Sequence, residues 1–187
     1  MVSGFIQADA TAVAAARARL DGPAGARRRI GVAWRSTNAD YGAEKSLRLE
    51  DMLPALRRPD VIWVDLQYGD TAAERAALAG RHGITLWRDP AVDPLADLDA
   101  AAAQIAGLDL VITASNTAAH VAGALGVPVW LLLPAPGYGL LWYWLLDRDD
   151  SPFYPSARCY RQGRAGDWSG PVAAVAAALD AGPVPGT

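Results

Sequence analysis

One run of polar residues in this sequence has both the types and the spacing to hold an anion: Ser115, Asn116 and Thr117, followed by Ala118, Ala119 and His120. It lies between an apolar stretch, 108–113, and a helix-favouring stretch, 117–125, so it ends a strand and opens a helix. The first amides of a helix lack intrahelical acceptors, and the macrodipole adds partial positive charge there. Such a terminus is a ready phosphate site. The hydroxyl and amide side chains can cap the helix or donate to a phosphate, and His120 falls in the first turn toward the same opening. Ala118 and Ala119 leave room for a bulky ligand. An isolated S-N-T is also what an ordinary N-cap looks like, with His120 as a partly buried helix residue. What separates the two readings is where the turn sits in the fold.

Other chemistries lack their residues. No G-x-G-x-x-G or G-x-x-x-x-G-K-[ST] is present, which argues against a dinucleotide dehydrogenase and a P-loop NTPase, and no G-x-S-x-G nucleophile elbow appears. Asp147-Arg148-Asp149 has D-x-D spacing but reads as a charged loop. The histidines are His82, read as an exposed helix end, and His120, and no local spacing surrounds either with carboxylates. A single cysteine, Cys159, excludes an internal disulfide and a thiolate cluster and favours a reducing compartment. Neither a metal nor a cofactor is expected.

The elements that must position the S-N-T turn follow from periodicity and breakers. Apolar strands are expected at 30–34, 61–66, 84–87, 108–113 and 127–133. Helices are expected at 49–56, at 71–81 with a capping box from Thr71 and Glu74, at 95–106, at 117–125 and at 172–179. A leading alanine-rich helix, 8–20, is broken by Asp21, Gly22 and Pro23. Strand and helix alternate with short connections, which implies right-handed βαβ units and a Rossmann-like parallel sheet of about six strands with helices on both faces. Ligands of such sheets sit beyond the C-terminal strand ends. The segment 134–168 is rich in Pro, Gly and aromatic residues. Trp34, Trp63 and Trp130 read as core, and Trp142, Trp144 and Trp168 as packing that segment onto the domain.

With 187 residues the chain has room for one ordinary domain, divided here into a leading helix or linker, 1–25, and the domain proper, 26–187. An apolar fraction of 52% with 20% charged residues is a globular balance. A formal net charge of -3 gives no electrostatic reason to bind nucleic acid. No apolar run is long enough for a membrane span, and no signal peptide is evident, so a cytoplasmic location is expected.

From Ile30 to Leu179 the sequence resembles the C-terminal, nucleotide-sugar-binding domain of GT-B glycosyltransferases. It is most similar to the glycosyltransferase-like domains of bacterial tetratricopeptide-repeat proteins, with heptosyltransferases and O-GlcNAc transferases more distant. The resemblance rests on I-G-V-A-W from Ile30, K-S-L-R-L from Lys45, D-L-Q-Y-G-D from Asp65 and G-L-D-L-V-I-T from Gly107. It continues in S-N-T-A-A-H-V-A-G-A-L-G-V-P-V-W from Ser115, D-S-P-F-Y-P-S from Asp150 and G-D-W from Gly166. It implies that Ser115, Asn116, Thr117 and the amides from Ala118 onward hold a diphosphate, with His120 close to the same oxygens. It further implies Lys45 and Arg48 near the phosphates, Gln67 facing the cleft, and base and ribose along 86–89, which brings in Trp87 and Asp89. The chain departs from the wider family in three places. Ser115-Asn116 replaces an Asp-Thr pair, Lys45 stands where Arg is common, and Trp142-Tyr143-Trp144 replaces a Trp-Arg-Trp arrangement.

The resemblance implies a UDP-, ADP- or GDP-linked sugar as ligand and leaving-group stabilisation as the chemistry. Catalysis would require an N-terminal domain or partner protein to supply the acceptor contacts and base. The alternative is a non-catalytic binding or interaction module that keeps the fold. An open groove lined by Lys45, Gln67, Asn116, Thr117 and His120 favours binding, and a plugged one favours a structural role.

Overall fold

The computed structural model describes residues 4–137 and 142–182. Six parallel strands form one sheet: β1 Arg28–Ala33, β2 Val61–Asp65, β3 Leu86–Trp87, β4 Leu110–Ala114, β5 Val129–Leu133 and β6 Ala157–Arg161, in the order β3-β2-β1-β4-β5-β6. This is the doubly wound order, and its switch point falls between β1 and β4. The helices are α1 Ala10–Ala24, α2 Leu53–Leu56 after a 3-10 turn at Leu49–Met52, α3 Ala72–His82, α4 Leu98–Ala106, α5 Thr117–Leu125 and α6 Ser169–Asp180.

Strand alternation divides the core in two. Ile30, Val32, Trp63, Leu110, Ile112, Trp130 and Leu132 point to one side, where α2, α3 and α6 cover them with Leu56, Leu78, Val172 and Val175. Ile62, Val64, Val111, Val129 and Leu131 point to the other, against Leu20 of α1, Ala102 and Ile105 of α4, and Ala119 and Ala122 of α5. Because every strand but the edge ones is buried on both sides, each reads as a continuous apolar run.

Several expectations are corrected. The leading helix does not stop at Leu20 but runs through Pro23 to Ala24, since only the Arg19 carbonyl loses its donor and Gly25 N–H still reaches Asp21 O at 2.9 Å. Its buried residues Ala16, Leu20 and Ala24 pack it onto the domain. The third strand shrinks to Leu86–Trp87. Thr71 makes no side-chain cap on α3, because its hydroxyl donates to Asp65 Oδ2 at 2.5 Å, while Glu74 accepts from Trp34 Nε1 at 2.8 Å. His82 ends α3 half-buried rather than exposed. The sixth strand lies inside the Pro, Gly and aromatic segment, as A-R-C-Y-R. Of the three tryptophans flanking it, Trp144 and Trp168 are buried, but Trp142 is 66% exposed.

Candidate functional site

At the switch point the chain leaves β1 and β4 in opposite directions, and the space between becomes a cavity of about 410 Å³. Its walls are the loop after β1 (Ser36 to Asn38, and Lys45), the end of β2 (Asp65 to Tyr68), the β3–α4 connection with one face of α4, and the β4–α5 turn with the start of α5. Tyr143 closes one side.

Asn116 is the N-cap of α5. Its Oδ1 accepts from Ala118 N–H at 3.0 Å and from Thr113 Oγ1 at 3.1 Å, and its Nδ2 donates to Arg35 O at 3.3 Å. That last bond ties β4 to the loop after β1 across the switch point, so the Asn116 side chain is consumed by building the site. Ser115 is likewise occupied, accepting from Trp144 Nε1 at 2.8 Å. Thr117 is exposed, and its hydroxyl has no hydrogen-bond partner among the described residues. Ala118 N–H is taken by the Asn116 side chain and Ala119 N–H by Asn116 O at 3.1 Å, so the α5 terminus offers an anion the Thr117 N–H and the Thr117 hydroxyl, neither of which has a partner among the described residues.

Lys45 lines the same cavity half-buried, with no ion-pair partner among the described residues. Its charge acts on two neighbours. Burial, and then Lys45, push His120 below the ordinary imidazole range, which keeps the ring neutral at pH 7. Burial pushes the Tyr68 phenol upward, but hydrogen bonds from Thr37 and Ser36 together with Lys45 bring it below its usual value. The Tyr68 hydroxyl accepts from Thr37 N–H at 2.6 Å and so orders the loop after β1.

His120 is gripped on three sides. Its Nδ1 lies 3.0 Å from Tyr154 Oη, its ring stacks on Trp144 with centroids 5.1 Å apart, and Tyr143 meets it edge-on at 5.2 Å. With Tyr154 donating to Nδ1, the neutral ring carries its proton on Nε2, a donor for a phosphate oxygen.

Gln67 lines the cavity but is fully buried, with Oε1 accepting from Trp34 N–H at 3.0 Å and Arg35 N–H at 2.9 Å. It clips the end of β2 to the end of β1. Asp89 also lines the cavity, its carboxylate engaged by Arg19 Nε at 2.8 Å and Ala91 N–H at 2.9 Å. Ala118 sits at the rim, half-buried. Two named residues lie elsewhere. Arg48, 78% exposed, turns onto Asp51 Oδ1 at 2.7 Å and lines a separate hollow with Glu74 and Trp168. Trp87 packs against the second core cluster and is not part of the cavity wall.

Sequence reasoning singled out none of Tyr68, Arg88 and Gln104, although the first two lie inside stretches it named, 65–70 and 86–89. Arg88 follows β3 at its C-terminal end and is anchored by Asp65 Oδ2 at 3.1 Å and Gln67 O at 2.8 Å, while Arg75 reaches the same carboxylate at 3.2 Å. The available signal was position: Tyr68 and Arg88 follow strands at their C-terminal ends, and Gln104 lies on the face of α4 that lines the cavity. Among the described residues, no group of three or more His, Cys, Asp or Glu side chains is placed to hold a metal ion, and no helix is long and apolar enough to cross a membrane.

No protein-family model matches the chain. It is 34% identical over 180 residues to Protein FlbA of Caulobacter vibrioides, an alignment covering 95% of this chain and 29% of FlbA. The chain thus spans less than a third of that relative's length. In three dimensions it is similar to the E. coli ADP-heptose LPS heptosyltransferase II, with a TM-score of 0.61 and 18% identity over 94% of this chain and 52% of that one. It is also similar to the glycosyl transferase family 9 protein of Veillonella parvula, with a TM-score of 0.57 and 17% identity over 86% of this chain and 43% of that one. At these identities the likeness is one of fold: the chain has the α/β Rossmann-like, glycosyltransferase-like fold of one half of a GT-B protein.

Proposed function

We propose that the chain is the sugar-nucleotide-binding half of a GT-B glycosyltransferase of the tetratricopeptide-repeat-associated branch, with residues 26–187 as the binding domain. The observation that carries this is the cavity at the switch point, where the open N-terminus of α5 and the unpaired Lys45 share one wall-to-wall space. A diphosphate bridging them would take hydrogen bonds from Thr117 N–H and Oγ1 and from His120 Nε2, with Lys45 balancing its charge. During glycosyl transfer the same donors would stabilise the negative charge growing on the departing nucleoside diphosphate. Catalysis would need acceptor contacts and a base from an N-terminal domain or partner protein. Without one, the chain acts as a sugar-nucleotide-binding module.

Titration calorimetry of the chain with UDP, ADP, GDP and CMP tests the reading. Lys45→Ala and Thr117→Val are the informative variants, because Asn116→Ala would also break the cap and the tie to Arg35. Saturable binding of a nucleoside diphosphate, weakened about tenfold in each variant, is expected. Absence of binding by all four nucleotides at millimolar concentration would overturn it.

A further inference from the structure

Among the described residues, the charged members of the cavity wall are Lys45, Arg88, Asp65 and Asp89, two cations against two carboxylates. Such a balance gives an anion no electrostatic reason to enter. A charge in the wall of a space of only about 410 Å³ acts on whatever occupies it, and the side chains of Asp65 and Asp89 are 0% and 1% exposed, so water screens neither. Both carboxylates are answered from behind the wall. Asp65 Oδ2 takes Arg75 Nε of α3 at 3.2 Å besides Arg88 Nη1 at 3.1 Å. Asp89 Oδ2 takes Arg19 Nε of α1 at 2.8 Å, and among the described residues no other cation pairs with it. With these two arginines included, four cations face two carboxylates, in a chain whose formal net charge is -3.

We infer that Arg19, on the leading helix, sets the charge of the ligand cavity by neutralising Asp89, and that α1 is thereby part of the anion site. This rests on the sugar-nucleotide reading proposed above. Arg19 is a positioning residue: it acts through Asp89 and does not line the cavity. Ala16, Leu20 and Ala24 bury α1 against the domain, which holds Arg19 over the β3–α4 connection. The Asp89 carboxylate also accepts from Ala91 N–H at 2.9 Å, and Asp89 O from Val92 N–H at 3.3 Å, so the same pair fixes the turn that carries Val92 into the wall. A neutral amide at position 89 could make the Ala91 bond equally well, and what the carboxylate adds is a buried negative charge that only Arg19 offsets. The site therefore extends across the boundary at residue 25 into the helix before it.

The test is calorimetry of the full chain at pH 8 with inorganic pyrophosphate, comparing wild type with Arg19→Gln, Asp89→Asn and the double variant, while wild type is also titrated with UDP, ADP and GDP. Thermal unfolding is followed in parallel. Arg19→Gln leaves a carboxylate alone in the wall, Asp89→Asn leaves a guanidinium alone behind it, and the double variant restores the balance. The expected order of pyrophosphate affinity is Asp89→Asn tightest, then wild type and the double variant within about threefold of each other, then Arg19→Gln about tenfold weaker than wild type. If Arg19→Gln does not fold, Asp89→Asn against the double variant isolates the same charge, and the former must bind more tightly. A merely structural role for the pair would weaken binding in every variant, and that result would overturn the inference while leaving the phosphate site standing. Equal affinity throughout would overturn it in the same way, as would a wild type that binds a nucleotide but not pyrophosphate. Binding of neither would remove the sugar-nucleotide reading along with the inference.

Discussion

The two faces of the sheet are built from different side chains, and the difference explains where the cavity is. The face under α2, α3 and α6 is filled by Trp34, Trp63, Trp130 and Trp168 together with Met52 and several leucines. The face under α1, α4 and α5 joins valines and leucines to more small residues than the other, among them Ala33, Ala102, Ala119 and Ala122, and its one buried tryptophan among the described residues, Trp144, comes from the turn beyond β5. Large rings fill the space between helix and sheet on that face. Small residues let α4 and α5 lie close while leaving room open at the C-terminal strand ends. The tryptophan face carries stability and the alanine face carries the site.

That contrast can be broken by substitutions on each side. The largest effect is expected from Trp63→Ala, which empties a position 2% exposed and removes the donor to Leu56 O at 2.9 Å. A loss of about 3–5 kcal/mol is expected in denaturant unfolding. On the other face Gly123→Ala comes next. An added Cβ would lie 2.5 Å from Tyr154 Cγ and 2.8 Å from its Cβ, so the ring that orients His120 must shift. About 1–3 kcal/mol of destabilisation is expected, with weaker nucleotide binding. If Gly123→Ala is neutral in both respects, close packing is not what shapes this face.

Lys45→Ala and Thr117→Val sharpen the comparison from the opposite direction. Both are expected to leave unfolding within about 0.5 kcal/mol of wild type, while weakening nucleotide binding by the factor given above. A smaller effect follows from His120. Its pKa is lowered in the fold, chiefly by burial and then by Lys45, so the unfolded chain binds the extra proton first as pH falls. Stability is therefore present above the ordinary imidazole pKa and declines as pH falls from about 6.5 toward the lower folded value. The wild-type unfolding midpoint should drop across that window more than that of His120→Gln. The least response is expected from Cys159, which is 3% exposed and whose thiol burial pushes up to about 11. At pH 8 an alkylating reagent should label it only after unfolding.

Most of the alternation that makes the fold was legible in the sequence because the inner strands, buried on both sides, show as apolar runs such as 110–112 and 129–133. The N-cap at Asn116 was legible too, since capping depends on a few adjacent residues. The edge strand Ala157–Arg161 was not. With Arg158 laid over Tyr160 at 5.2 Å and one side half open, it looks like loop until β5 gives it a partner. Likewise Arg48 could be placed in the right loop but not aimed, because its direction is set by Asp51 three residues on.

By itself, then, the sequence determined the parallel α/β class and the strand-turn-helix that carries Asn116. Each of these is a matter of local periodicity or composition. Only the tertiary structure decided that Lys45, Thr117, His120 and Gln104 share one cavity, that Arg48 and Trp87 stand outside it, and that Gln67 and Asn116 spend their polar atoms joining β2 and β4 to the loop after β1. Apart from the turn of Arg48 onto Asp51, such choices depend on contacts between residues tens of positions apart, and on which strand lies next to which, and neither is written in any short stretch of chain.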